Sequence, residues 1–399
     1  MLQVMRFSFI HTADWQIGKQ FGGLDARLAG RLEEARLDVI DRIAAVAEQY
    51  GARHVLVAGD VYDAPDLKER TLRQPLTRMA QHAGLTWVLL PGNHDTAGPG
   101  SIWSRVHRLS PAGNIVIADS AVAMEIAPGV ALLPAPLTAK ATLRDPTAWM
   151  DEAVTDSARL RIGLAHGAVH GFGSEGECSV PIDAGRVQRA RLDYLALGDW
   201  HGMKEIGPRC WYSGTPEPDN FANSPKGHVL AIALEYSGGA AGAARITVTP
   251  EATGHYTWAR LERDIRSEAD IRALDREVAA LGETSNRLLI RLRLAGALPL
   301  DALEALQLYR ADLDARVQHL DWDDAGVAVS GAFDPAEIAA LAGGDTDLGA
   351  VISRLAAMAR DSGDTTAASG SAAGVVSPEV ARTALVRLLQ LVREAGGPA

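Results

Sequence analysis

The chain has 399 residues, 47% of them hydrophobic, with a mean hydropathy near zero, the profile of a globular protein with a sizeable core and two or three domains. Its formal charge is −11, from 39 Lys and Arg against 50 Asp and Glu, so bulk electrostatics alone do not make it a nucleic-acid binder. No run of about 18 apolar residues is present to span a bilayer, and no membrane association is expected.

The opening segment MLQVMRFSFIHTAD lacks a long apolar core and a small-residue cleavage site, which points to a cytoplasmic location. From residue 6 to residue 95, strand and helix patterns alternate: FSFIHTAD, then the amphipathic RLEEARLDVIDRIAAVAEQYG, then HVLVAGD, LKERTLRQPLTRMAQHAG and TWVLLPGNHD. This β-α-β-α-β series predicts adjacent parallel strands joined by right-handed crossovers. Asp25 suits the N-cap of the first helix and Gly51 its C′ position. Further strands are expected in NIVIAD, VALLPAP, RLRIGLAHGAV, DYLALGD, HVLAIALEY and ARITVTPEA, separated by Gly, Pro and Asp turns. The fold class is therefore α/β, a mixed sheet or two-sheet sandwich flanked by helices, with a first domain over residues 1–255.

A smaller α+β domain is expected over residues 256–335, where NRLLIRLRLAG alternates as a strand and DALEALQLYRADLDARVQHL has helical period. Residues 336–399 form a C-terminal helical region containing a small, polar linker at 361–377. Its last segment, SPEVARTALVRLLQLVREAGG, has Ser377 as N-cap, Pro378 at N1 and a Gly396 stop. The apolar residues Val380, Ala384, Leu385, Leu388 and Leu391 suit either packing on the chain's own domain or docking on a partner. The two cysteines, Cys178 and Cys210, lack metal-site spacing and read as free thiols.

Chemistry-bearing side chains recur just past the strands. Asp14 and Gln16 follow the first, Asp60 and Asp63 the second, and Asn93, His94 and Asp95 the third, while His166 closes LAHG and Asp199 and His201 lie in GDWHG. One GD after a strand is ordinarily a turn. Five strand ends, each with an acid, amide or imidazole, form a joint pattern that unrelated turns do not explain, and it points to a dinuclear metal site. His11 has the opposite strand parity to Asp14 and Gln16 and reads as structural. His170 is a substitute ligand only if its strand continues. Arg186, Arg189 and Arg191 make the main local basic cluster, read as a solvated helix face more readily than as phosphate contacts.

The ordered pattern resembles the calcineurin-like metallophosphoesterases, whose motifs are D-x-H, GDxxD, GNHD/E, a later H and GHxH, over most of the first 220 residues. HTADWQIGKQF, GDVYDAPD, LLPGNHD and WYSGTPEPDNF are similar, more narrowly, to the SbcD-type DNA-repair nuclease family. That resemblance implies a metallophosphoesterase sandwich with a C-terminal capping domain and an exonuclease and endonuclease activity on DNA. It also implies a likeness to subunits that form homodimers and dock an SMC-like coiled-coil ATPase through C-terminal helices. It implies that Asp60 bridges two divalent ions about 3.5–4 Å apart, with Asp14 and His201 on the first and Asn93 and His166 on the second. His94 would face the scissile phosphate, with Asp63 and Asp95 orienting the ligands or His94.

Two positions depart from the family pattern: Gln16 and Asp199 stand where imidazoles are usual. Gln16 can offer only a weaker neutral oxygen or hold a water. Asp199 brings a third carboxylate, so two divalent ions leave a site charge of about +1 instead of about +2. The donor set favours Mn2+ or Mg2+ over Zn2+. Two alternatives stand beside the DNA phosphodiesterase. One is an adaptor for DNA ends or the ATPase with a degenerate metal site, and the other is a phosphodiesterase for nucleotides or small phosphate esters.

Overall fold

The computed structural model describes residues 5–155, 160–169, 180–222, 225–237, 244–282, 285–330, 342, 345–360 and 377–395. It divides into two compact units, Met1–Thr257 and Trp258–Ala399. His170, Cys178, Gly396 and nearly all of the expected linker lie outside the described residues.

In the first unit the elements run β1 (Met5–Thr12), α1 (Ala26–Gln49), β2 (His54–Val57), α2 (Glu69–Gln81), β3 (Thr86–Leu89), α3 (Ile102–Arg108) and β4 (Ile115–Ile117). They continue as β5 (Met124–Ala127), β6 (Val130–Ala135), β7 (Leu160–His166), β8 (Ala168–Val169), β9 (Pro181–Ile182), α4 (Arg186–Arg189) and β10 (Tyr194–Gly198). The unit closes with β11 (Lys204–Gly207), β12 (Cys210–Tyr212), β13 (His228–Tyr236) and β14 (Arg245–Ala252). Two six-stranded sheets result, in the orders β14-β13-β1-β2-β3-β4 and β11-β12-β10-β7-β6-β5. β1 to β4 are parallel neighbours, as the alternating pattern predicts, and so are β6, β7 and β10. The α/β sandwich flanked by helices is thus the architecture found.

The central strands are apolar on both faces, because each face is covered. On β2, Leu56 joins Phe7, Phe9 and Val88 in the layer between the sheets, opposite Leu132, Ile162, Leu164 and Ala196. Val55 and Val57 point the other way, onto Leu37, Ile40 and Ile43 of α1. That period of two fixes the register, since a slip by one residue would exchange the two layers. Asp25 caps α1, its carboxylate accepting from the amides of Arg27 and Leu28, and Gly51 takes a left-handed φ of 60° beyond the helix end.

The second unit carries β15 (Thr257–Ile265), α5 (Glu268–Ala280), β16 (Leu288–Leu298), α6 (Leu300–Arg316) and β17 (His319–Val329), followed by helices over Thr346–Arg360 and Pro378–Ala395. α6 ends four residues before the expected helical stretch does, because HLDWDDAGVAV leaves the helical period and pairs in parallel with β16. Ser377 caps the last helix through Val380 N–H. Ala381 and Leu385 are buried there, whereas Val380 and Leu391 are about half exposed.

Ile162 is fully buried between the sheets. Ile162→Ala is expected to cost about 2–5 kcal/mol, read as a lower urea midpoint for the first unit.

Candidate metal centre

The two sheets place the carboxyl ends of β1, β2, β3, β7 and β10 at one edge of the sandwich, the ordinary location of ligand sites in parallel sheets. Register brings the last residues of β7 and β10 side by side, Gly198 opposite His166. The loop after β1 is laced to the loop after β2 by backbone bonds from Asp14 N–H to the Gly59 carbonyl, Gln16 N–H to Asp60 and Ile17 N–H to Val61.

Asp14, Asp60 and His166 converge, with one donor atom from each lying within 4.8 Å of the others, and all three are buried. His166 Nε2 is 3.5 Å from Asp60 Oδ1 and 3.7 Å from Asp199 Oδ1. Its Nδ1 donates to the Ala58 carbonyl at 2.8 Å, which leaves Nε2 as the atom aimed at the carboxylates. Asn93 Nδ2 donates to Asp199 Oδ1 at 3.1 Å. Both His166 Nε2 and Asn93 Oδ1 are buried without a hydrogen-bond partner among the described residues. Buried polar atoms are rarely left so, and a divalent cation satisfies a lone pair of each kind. Asp60, Asn93, His166 and the adjoining carboxylates therefore fit a bound metal ion.

Gln16 and His201 are placed differently. Gln16 Nε2 is 3.1 Å from His201 Nε2, and Gln16 Oε1 accepts from Lys19 Nζ at 3.2 Å. His201 Nδ1 faces Asp219, which also takes Lys19 Nζ at 2.5 Å and stands 3.6 Å from Arg36. The metal donors expected at these two positions are thus paired with protein groups. Lys19 and Asp219 were not singled out by sequence reasoning, since nothing local marks two residues 200 positions apart as partners.

The remaining candidates serve the frame. His94 N–H donates to Asp60 Oδ1 at 3.0 Å, and its ring Nδ1 bonds the Asp63 backbone carbonyl at 2.8 Å, so Asp63 acts through its main chain. His94 Nε2 lies 4.0 Å from Asp60 Oδ2 on a partly open side chain. Asp95 orients the loop, its carboxylate accepting from the amides of Gly92 and Tyr62. His11 is structural: it is buried, bonded to Tyr194 Oη and the Leu197 carbonyl, and burial holds its pKa down at about 3. Arg186 is not a solvated basic group, because it is buried and ion-paired with Asp145 and Asp151, and Arg189 shares Asp151 and Asp183.

Backbone geometry marks the same residues. Six non-glycine residues among those described have positive φ, and four of them are Asp14 (54°), Gln16 (45°), Asp60 (55°) and Asp199 (101°). Each such conformation costs about 1–3 kcal/mol and persists where the surroundings enforce it. Because the strand ends at Thr12, strand parity does not set the directions of Asp14 and Gln16. A Cβ at Gly59 would fall on the His166 ring, and one at Gly92 on Asp60.

Burial raises the pKa of Asp14 to about 6, against the pull of His201 and His166. For His166 burial works downward, but Asp60, Asp14 and Asp199 outweigh it and bring the ring to about 9. His201 is likewise lifted above its ordinary value against burial, chiefly by Asp219, whose own carboxyl is held far below the usual range by His201, Arg36 and Lys19 despite burial.

Residues 7–203 match the calcineurin-like phosphoesterase family. Among solved structures, the chain is similar to TT1561 of Thermus thermophilus, at 11% identity, over 61% of this chain and 99% of that one, with a TM-score of 0.38. It is also similar to the purple acid phosphatase PPD1 of yellow lupin (Lupinus luteus) seeds, at 12% identity, over 62% of this chain and 54% of that one, with a TM-score of 0.34. No curated protein matches the sequence. No helix among the described residues is long and apolar enough to cross a membrane.

A metal ligand must give up its proton. With Asp14 titrating at about 6 and His166 at about 9, Mn2+ binding to stripped protein is expected to tighten as pH rises through that window and to release protons. Calorimetry at pH 7 in buffers of different ionisation enthalpy measures this, and heats independent of the buffer would contradict it.

Proposed function

We propose that this chain, which carries a calcineurin-like metallophosphoesterase domain over residues 7–203, is a phosphodiesterase of DNA repair that cuts DNA as exonuclease and endonuclease. The observation that carries the hydrolytic reading is the convergence of buried Asp14, Asp60 and His166 beside the partnerless Asn93 Oδ1 and His166 Nε2. Mn2+ suits this set best, with Mg2+ second, because oxygen donors dominate it.

When bound, a divalent cation supplies Lewis acidity to a phosphoryl oxygen and acidifies water. Asp60, Asn93, His166 and Asp199 would hold it, with Asp14 alongside. The protein's own share lies in aim and protons. Asp60 is fixed by the His94 amide, and His166 by the Ala58 carbonyl, so neither donor swings on binding. The Asp63 carbonyl accepts from His94 Nδ1–H, which turns Nε2 outward. When the ring carries its second proton, Nε2–H is the group that would give a proton to the leaving oxygen or donate to a phosphoryl oxygen.

DNA as substrate is supported by the stretch between Asp199 and His201. Trp200 is 42% exposed there, with Lys204 Nζ 5.2 Å from its ring centroid. An exposed indole offers a stacking face for a base. An SMC-like ATPase partner is the companion this reading calls for, and the half-exposed Val351, Val380 and Leu391 of the last two helices are suitable apolar contacts. The net charge of −11 favours the competing reading, a phosphodiesterase for nucleotides or small esters.

Cleavage of labelled single- and double-stranded DNA in Mn2+ is the test. Asp60→Asn is expected to abolish cleavage together with metal binding, and His94→Ala to lower kcat about 10²–10⁴-fold with metal binding kept. Hydrolysis of bis-p-nitrophenyl phosphate without DNA cleavage would establish the small-ester reading, and metal binding without either activity would establish an adaptor.

Trp200→Ala is expected to raise KM for single-stranded DNA at least about fivefold, from a stacking contribution of about 1–3 kcal/mol. An abasic oligonucleotide of the same length should show no such rise, and Trp200→Phe should restore the difference. Equal effects on both substrates would remove Trp200 as a base contact.

A further inference from the structure

The family resemblance implies two ions, but the donors meant for them are in opposite states. Those of one position, His166 Nε2 and Asn93 Oδ1, are buried and make no hydrogen bond among the described residues. Those of the other, Gln16 and His201, are bonded to each other. We propose that the first cation position is closed by a Lys19–Gln16–His201–Asp219 hydrogen-bond chain, and that the protein takes a single divalent ion, held by Asp60, His166, Asn93 and the neighbouring Asp14 and Asp199 carboxylates. This inference rests on the metallophosphoesterase reading above and concerns how many ions that site holds.

Donor and acceptor roles along the chain run in one direction. An ammonium only donates, so Lys19 Nζ at 3.2 Å fixes Oε1 as the Gln16 atom facing it. The other end of the amide, an N–H, must then face His201 Nε2 at 3.1 Å. A carboxylate only accepts, so His201 Nδ1, 3.3 Å from Asp219 Oδ2, carries the proton on that side. The Nε2 lone pair, the atom an ion would use, is directed at the Gln16 amide. A proton placed on Nε2 instead would occupy the same lone pair.

Turning the Gln16 oxygen toward an ion would set its N–H group against the Lys19 ammonium, two donors face to face. Gln16 is 2% exposed, so its own N–H group finds little water to replace the lost acceptor, and a buried donor left unmatched is unfavourable. Positive charge is already supplied from this side: Lys19 and Arg36 both stand on Asp219. An imidazole at position 16 would change the balance, because a neutral ring can present a lone pair with no N–H directed at His201.

The full chain, stripped with a chelator and titrated with Mn2+, tests this by metal analysis and electron paramagnetic resonance. One ion per chain is expected, with the hyperfine pattern of an isolated Mn2+. Gln16→His is expected to take up two ions and to show the weakened, exchange-coupled signal of a pair. Lys19→Met, which frees the amide to turn, is expected to add a second, weaker binding event, with circular dichroism confirming that both variants fold. Two ions in the unaltered chain would overturn the inference and leave the phosphodiesterase reading intact. A single ion in folded Gln16→His would overturn the role given to Gln16, and no ion in the unaltered chain would remove both readings.

Discussion

The bond from His166 Nδ1 to the Ala58 carbonyl is the contact on which the rest of the site depends. It crosses from the end of β7 in one sheet to the end of β2 in the other, and it aims Nε2 at Asp60 and Asp199. Two glycines make room for it. A side chain at Gly59 would collide with the ring, and one at Gly198 would collide with the Ala58 carbonyl and come within 2.8 Å of Nδ1. The GD dipeptides at 59–60 and 198–199 therefore do more than turn the chain: the glycine admits the imidazole and the aspartate faces it.

Holding so many acidic groups in one buried place has to be offset. Asp14, Gln16, Asp60 and Asp199 leave their strands through left-handed backbone, an unfavourable conformation for residues with side chains, although aspartate tolerates it better than most. Amides laid across neighbouring loops stabilise it: Asp199 N–H donates to Asp14, and the Asp14 and Gln16 amides donate to the loop after β2. The apolar side chains beneath offer no polar groups of their own, so the strain is carried by this backbone lacing.

The parallel adjacency of the first three strands and the strand ends were legible in the sequence because they depend on local pattern: HVLV and TWVL are continuous apolar runs, and the residues following them are short and polar. The order of the second sheet, with β6, β7 and β10 parallel, was not. The direction of a side chain after the strand was not legible. Parity suggested that Asp14 and Gln16 point together, yet both adopt positive φ, Asp14 joins the carboxylates and Gln16 turns to His201. Likewise Asp63 was noticed for its carboxylate and contributes its carbonyl. Asp219 lies in the stretch WYSGTPEPDNF, but its importance comes from Lys19, Arg36 and His201, three residues that only the fold assembles. The strand over His319–Val329 escaped because its alternation follows a helix without a Gly or Pro break.

Charge on the whole molecule and charge at the site have different sources, and the difference matters for how an anion approaches. The net −11 repels a polyanion weakly at a distance, where salt screens it within about 8–10 Å. Close in, the basic groups are largely committed to carboxylates. Arg186 and Arg189, the main basic cluster read from the sequence, are paired with Asp145, Asp151 and Asp183. Lys19 and Arg36 surround one carboxylate, and Lys204 stands over the open Trp200 ring beside Asp199 and His201. The carboxylates of Asp14, Asp60 and Asp199 leave the site itself acidic, so a phosphate approaches it against that charge unless a cation is bound.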